Sequence, residues 1–223
     1  MSISAIIPFL RELQENNNRE WFTANKEHVS GLQREFLRFT QQIIDGIALF
    51  DPEMKGVDAK NCVFRIYRDI RFSPDKTPYK THFGAYMAAA GGRKSERAGY
   101  YLHMEPDGCF ISNGIYCPDK DILKAIRQAI LENMDEWEEI TGNIMQYFPN
   151  QFEEEKLKKV PQGFPSDVPG ADWLKYKHYT FSHPLADTFY EKKDIIPELL
   201  ALFQHSVKLN QFINFTIDEL HNR

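Results

Sequence analysis

Helix-forming segments at both ends and a run of short strands between them predict an α+β fold, with a mostly antiparallel central sheet flanked by N-terminal and C-terminal helices. Three observations lead there. Apolar residues recur at steps of three and four from Val29 to Ile47, and a similar stripe returns after Pro118. Between residues 60 and 117 the pattern changes to alternation broken by turn residues. Strands and helices do not alternate regularly, as a parallel sheet would require. The 223 residues therefore read as one domain over 1–223, helical over 1–55, sheet-rich over 60–117, and helical with a late strand over 118–223.

Taken in order, Ser4 is placed to cap a helix carrying Ile6, Ile7, Leu10 and Leu13. Asn16, Asn17 and Asn18 end it, since asparagine tolerates turn geometry. Asn18 then caps a second helix that starts near Arg19, follows Val29, Leu32, Phe36, Phe39, Ile43 and Ile47, and stops between residues 45 and 51. Cys62 to Tyr67 alternates as a strand with two usable faces, and Phe83 to Ala90 is a second strand. Gly91 to Ser95 reads as a flexible polar loop, able to fold over a ligand. Tyr100 to Met104 and Cys109 to Tyr116 form a hairpin around Pro106-Asp107-Gly108. Ile122, Ile126 and Ile130 mark a helix, Asn133 caps another through Trp137, Ile140 and Ile144, and residues 148–170 are connection. Tyr176 to Phe181 is the late strand, and helix resumes from Pro184.

Composition narrows the function classes. A 42% hydrophobic and 26% charged chain of this length can bury a core without disulfides or a structural metal. Three cysteines, Cys62, Cys109 and Cys117, with no C-x-x-C pattern, point to reduced thiols, and Cys62 and Cys109 sit in apolar surroundings. No stretch is long and apolar enough to span a membrane, and the first residues lack the basic lead of a signal peptide, so a cytoplasmic protein with no membrane partner is expected. The net charge of −5 disfavours nonspecific nucleic-acid binding. Eight acids against two lysines between Glu132 and Lys158 give a local −6, read as a solvated helical face.

Against that acidic background, residues 60–82 hold six cations (Lys60, Arg65, Arg68, Arg71, Lys76 and Lys80) and two acids (Asp69 and Asp75), a local charge of +4. Arginine offers a planar fork that matches carboxylate or phosphate oxygens in pairs, and lysine a point charge. Such density calls for a counter-charge. A small anionic ligand, phosphorylated or carboxylated, is the expected partner, held by Arg65, Arg68, Arg71, Lys76 and Lys80, with Tyr67, Tyr79, Arg19 and Asn25 adding contacts. The competing reading is an internal ion-pair network, with Asp75 holding Lys76 or Lys80. In a catalytic version, Lys76 or Lys80 stabilises negative charge and His82, kept neutral by its cationic neighbours, moves a proton. His103 alternates onto the hairpin and could approach the same face.

Other chemistries find less support. The seven histidines show no metal-binding spacing such as H-E-x-x-H, so neither a metal nor a cofactor is expected. There is no nucleophile elbow and no P-loop. Two alternatives to the ligand site remain: a noncatalytic protein-docking surface built on the basic segment, and a single-strand nucleic-acid binder using Tyr67, Phe72, Tyr79, Tyr100 and Tyr101 as stacking platforms.

The pattern Asn18-Arg19-Glu20-Trp21-Phe22-x-x-Asn25-Lys26, followed by the run from Phe64 to His82, resembles the DUF2461 family. Gly99-Tyr100-Tyr101 and Val160-Pro161-x-Gly163-Phe164-Pro165 share the likeness. The resemblance implies a single family domain over nearly all of the chain, and no activity comes with it.

Overall fold

The computed structural model describes residues 2–151 and 155–222. Among them are eight α-helices and five strands: α1 Ile6–Glu15, α2 Arg19–Ala24, α3 Lys26–Ile47, α4 Ala59–Cys62, β1 Phe83–Met87, β2 Gly99–Met104, β3 Phe110–Ile115, α5 Lys120–Glu132, α6 Met134–Ile144, β4 Asn150–Gln151, β5 Tyr179–Pro184, α7 Ile195–Gln204 and α8 Val207–His221. The sheet is antiparallel with strand order β1-β2-β3-β5-β4. At its edge, Asn150 pairs with Ser182 and Gln151 with Phe181. The fold class is α+β. No helix among the described residues is long and apolar enough to cross a membrane.

Contacts divide the chain into two compact units, Met1–Lys94 with Tyr101–Ile111 and Pro184–Leu200, and Ser95–Tyr100 with Ser112–His183 and Ala201–Arg223. In the first unit, the apolar stripes of α1 and α3 bury Ile6, Leu10, Leu13, Leu32, Phe36, Ile43 and Ile47. Phe83 of β1 meets Phe36 edge-on at 5.3 Å between ring centroids. In the second unit, Trp137 of α6 is fully buried and meets Trp173 and Tyr179 at near-perpendicular angles, with centroids 5.7 and 5.4 Å away. Edge-to-face packing of this kind places the positive ring edge on the negative face. The acidic residues Glu132, Asp135, Glu136, Glu138 and Glu139 of α5 and α6 face solvent, whereas Glu153 and Glu154 lie outside the described residues.

Several local expectations need correction. Cys62–Tyr67 is not a strand: α4 ends at Cys62, and the chain then makes only isolated bridges, Val63 to Ala85 and Tyr67 to Tyr79. Ser4 does not cap α1; it lies in a 3-10 turn, Ile3–Ala5, and its hydroxyl donates to Ser2. The predicted second helix is two helices, broken at Asn25. Asn133 does not cap α6 with its side chain. Its Nδ2 instead donates to the Ala129 carbonyl of α5. Residues 91–95 are not a free lid: Gly92–Lys94 form a 3-10 turn, and the Arg93 guanidinium donates to the Lys60 and Asn61 carbonyls, each at 3.0 Å, satisfying the end of α4. Gly92 is required there. Its φ is +59°, and a Cβ would stand 2.5 Å from the Asn61 carbonyl oxygen.

Candidate functional site

The cationic motif folds back on itself within the first unit. Phe64 N–H donates to the Gly84 carbonyl at 2.9 Å, Lys80 N–H to Ile66 at 2.8 Å, and Arg68 N–H to Pro78 at 3.0 Å. Pro74 and Pro78 carry no N–H, so a longer ladder cannot form. The fold-back is anchored by Tyr79, whose ring is buried and stacks on Phe22 of α2 with centroids 3.7 Å apart. Asn17 brackets the Tyr79 backbone, accepting from its N–H at 3.1 Å and donating to its carbonyl at 2.9 Å, as a neighbouring strand would. Tyr79 thus has a packing role. Asn25 is likewise occupied, its Nδ2 donating to the Trp21 carbonyl at 2.9 Å.

Beyond the fold-back, the two arginines of residues 68–77 meet the two carboxylates of the same stretch. Arg68 reaches Asp75 and the Thr77 hydroxyl. Arg71 forms a two-pronged pair with Asp69 at 2.9 and 2.7 Å. Lys76 donates to the Ile70 carbonyl at 2.9 Å. The Asp75 carboxyl is pulled down to about 2, first by the Thr77 backbone N–H and then by Arg68. The network reading therefore describes Arg68 and Arg71, although the partner of Asp75 is Arg68 and not a lysine. Arg19 and Lys76 border a shallow hollow of about 700 Å³ with Asn17, Asn18, Ile70 and Thr77. The N–H groups of α2 do not serve it. The helix has six residues, and Asn18 already accepts from Trp21 N–H at 2.9 Å.

Arg65 and Lys80 differ. Neither has an ion pair among the described residues. Arg65 is exposed, and the half-buried Lys80 ammonium stands 5.2 Å from the centre of the Phe64 ring. Burial, and then repulsion by Arg65, lowers the Lys80 pKa from its ordinary value.

Beside Lys80 lies a cluster that sequence spacing did not show. Strand alternation puts Tyr101, His103 and Glu105 on one face, with Leu102 and Met104 turned into the core. His82, just before β1, brings its ring to 4.5 Å from that of His103. His103 is nearly buried, packed on Phe110 with ring centroids 4.6 Å apart. Its Nδ1 lies 2.9 Å from the Tyr101 hydroxyl and its Nε2 3.0 Å from Glu105 Oε2. Thr81 donates its hydroxyl proton to the other oxygen, Oε1, at 3.1 Å. Burial drives the His82 pKa down to about 4, with His103 and Lys80 adding to the fall. His103 is lowered mainly by burial, against the pull of Glu105. Both imidazoles are therefore neutral near pH 7. The Tyr-x-His-x-Glu alternation was legible, but His82 comes from 21 residues earlier, and only the fold brings it in.

Elsewhere, the second unit holds an open groove of about 1310 Å³ between α5, α6 and α8, lined by acids such as Glu132, Glu136 and Glu139 together with Phe212 and Phe215. It gathers no cluster of histidines or arginines. All three thiols are unpaired, Cys62 and Cys109 buried and Cys117 exposed. Burial pushes Cys62 up to about 11 and Cys109 up to about 12, which keeps both as inert thiols.

Residues 5–212 match the model of a family described as "Conserved hypothetical protein (DUF2461)", and the chain belongs to that family. No curated protein and no solved structure matches it.

Proposed function

We propose that this DUF2461 chain binds a small anionic ligand, carboxylated or phosphorylated, at Arg65 and Lys80, next to His82 and His103. One observation carries the reading. Of the cations in the central motif, Arg68 and Arg71 already hold carboxylates, while Arg65 and Lys80 stand close enough to repel and form no ion pair among the described residues, Arg65 feeling only the Asp69 carboxylate that Arg71 already holds. An anion between them would relieve that repulsion and make charge-assisted hydrogen bonds to both. The neutral imidazole of His82 adds a polar group at the same place. This reading narrows the expected site, because Arg68, Arg71 and Lys76 support the loop and Tyr79 supports the core. A reducing, cytoplasmic setting suits the three unpaired thiols.

Calorimetric titration with inorganic phosphate and with a tricarboxylate tests it. Arg65→Ala and Lys80→Ala should each weaken binding about tenfold or more, as expected for loss of a charged hydrogen bond. Arg71→Ala should leave affinity within about twofold. Equal affinity in all four proteins, or a loss confined to Arg71→Ala, overturns the assignment.

A further inference from the structure

We propose that His82, His103 and Glu105 form a binding site for one divalent first-row transition metal ion, such as zinc or iron(II). One ligand atom from each residue lies within 4.8 Å of the others. Metal–nitrogen and metal–oxygen bonds of about 2.0–2.2 Å put neighbouring ligand atoms roughly 3.0–3.5 Å apart. His103 Nε2 and Glu105 Oε2 already stand at 3.0 Å, and a His82 ring nitrogen lies within 4.8 Å of both groups. Two imidazoles and one carboxylate select a metal that accepts nitrogen, which disfavours calcium and magnesium. Three protein ligands also leave coordination positions for water or a substrate.

The surroundings resemble the outer shell of a metal centre more than a chance meeting of polar groups. A metal-binding imidazole needs a partner for its second nitrogen, to set the ring and the tautomer. The Tyr101 hydroxyl oxygen lies 2.9 Å from His103 Nδ1, ready to accept from Nδ1–H once Nε2 takes the metal. A ligating carboxylate needs the same service, and Thr81 holds Glu105 Oε1 while Oε2 faces His103 Nε2. Without metal, the His103 Nε2–H donates to Glu105 and Nδ1 accepts from Tyr101. Metal entry moves the single ring proton of His103 from Nε2 to Nδ1, and no net proton is lost. The packing of His103 on Phe110 holds the ring in place in either state.

Lys80 opposes a dication here, since its charge already bears on both histidines. A single carboxylate cannot balance the metal and Lys80 together. The loaded site should therefore keep an anion, which would bridge the metal and Lys80; that extension alone rests on the anion-binding reading.

The full chain, stripped with a chelator and held in anion-poor buffer, is titrated with Zn2+ against a chromogenic chelator, and with Co2+ by visible absorption. One ion per chain is expected, bound at micromolar concentration or tighter, with Co2+ absorption typical of mixed nitrogen and oxygen ligands. His103→Ala and Glu105→Ala should weaken binding at least about 100-fold, and Tyr101→Phe about tenfold, the usual range for an outer-shell partner. His82→Ala, on a half-exposed side chain, gives a ligand loss in a variant that keeps the buried packing, and thermal melting of every variant verifies folding. The exposed His28 supplies the control, because His28→Ala should bind as wild type does. Absence of binding in the wild type, or wild-type affinity in folded His82→Ala and Glu105→Ala, overturns the proposal. Phosphate titration of the stripped protein is scored separately, so loss of metal binding with phosphate binding intact sinks only the metal site.

Discussion

Two stretches of one motif, residues 68–77 and the face formed by Arg65, Lys80, His82, His103 and Glu105, carry the same kinds of side chain and do opposite things with them. In the first, each arginine meets an acid no more than seven residues away, and the lysine meets a carbonyl. In the second, two cations form no ion pair among the described residues, and the Glu105 carboxylate is turned toward a histidine. Charge density alone marks both stretches equally. Whether a cation meets a carboxylate depends on distances that the motif does not contain.

The comparison breaks most visibly at Tyr79, which anchors both stretches. Tyr79→Ala removes a buried ring stacked on Phe22 and should cost about 3–5 kcal/mol, read as a lower urea midpoint at unchanged slope. A loss under about 1 kcal/mol would mean that the fold-back does not depend on this stack. Replacing single cations separates the stretches more gently. Lys80→Met removes a half-buried charge that burial and Arg65 both disfavour, so the unfolding midpoint should rise. Arg71→Met breaks only an exposed pair and should leave the midpoint unchanged. A fall in the Lys80→Met midpoint would show that its ammonium has a stabilising partner. The smallest effect is on acidification. The folded Asp75 carboxyl, at about 2, lies below its ordinary 3.8, so its stabilising contacts are complete above pH 4 and are lost as pH falls through 2. The Thr77 amide resonance should move in that window, with little change in residues 80–82. Movement centred near pH 4 would mean that the Asp75 contacts do not form in solution.

Much of the fold was legible because its causes are local. The stripe from Val29 to Ile47 makes α3, and the alternation around Pro106-Asp107-Gly108 makes the β2–β3 hairpin. The failures have local causes too. Alternation in Cys62–Tyr67 resembled a strand, yet Asp58 caps α4 through Lys60 N–H, and the turn of helix it starts takes Cys62 with it. Asn25 looked like a ligand contact or a residue inside one helix, but its amide serves the Trp21 carbonyl and the helix breaks there.

Sequence by itself determined the apolar periodicities, the turn residues and the family motif, because each depends on neighbours a few positions apart along the chain. Only the tertiary structure decided which cations are neutralised and that His82 meets His103 and Glu105. Coulomb and hydrogen-bond energies depend on separation in space, and here that separation is set by the Tyr79–Phe22 stack and by the alternation of β2.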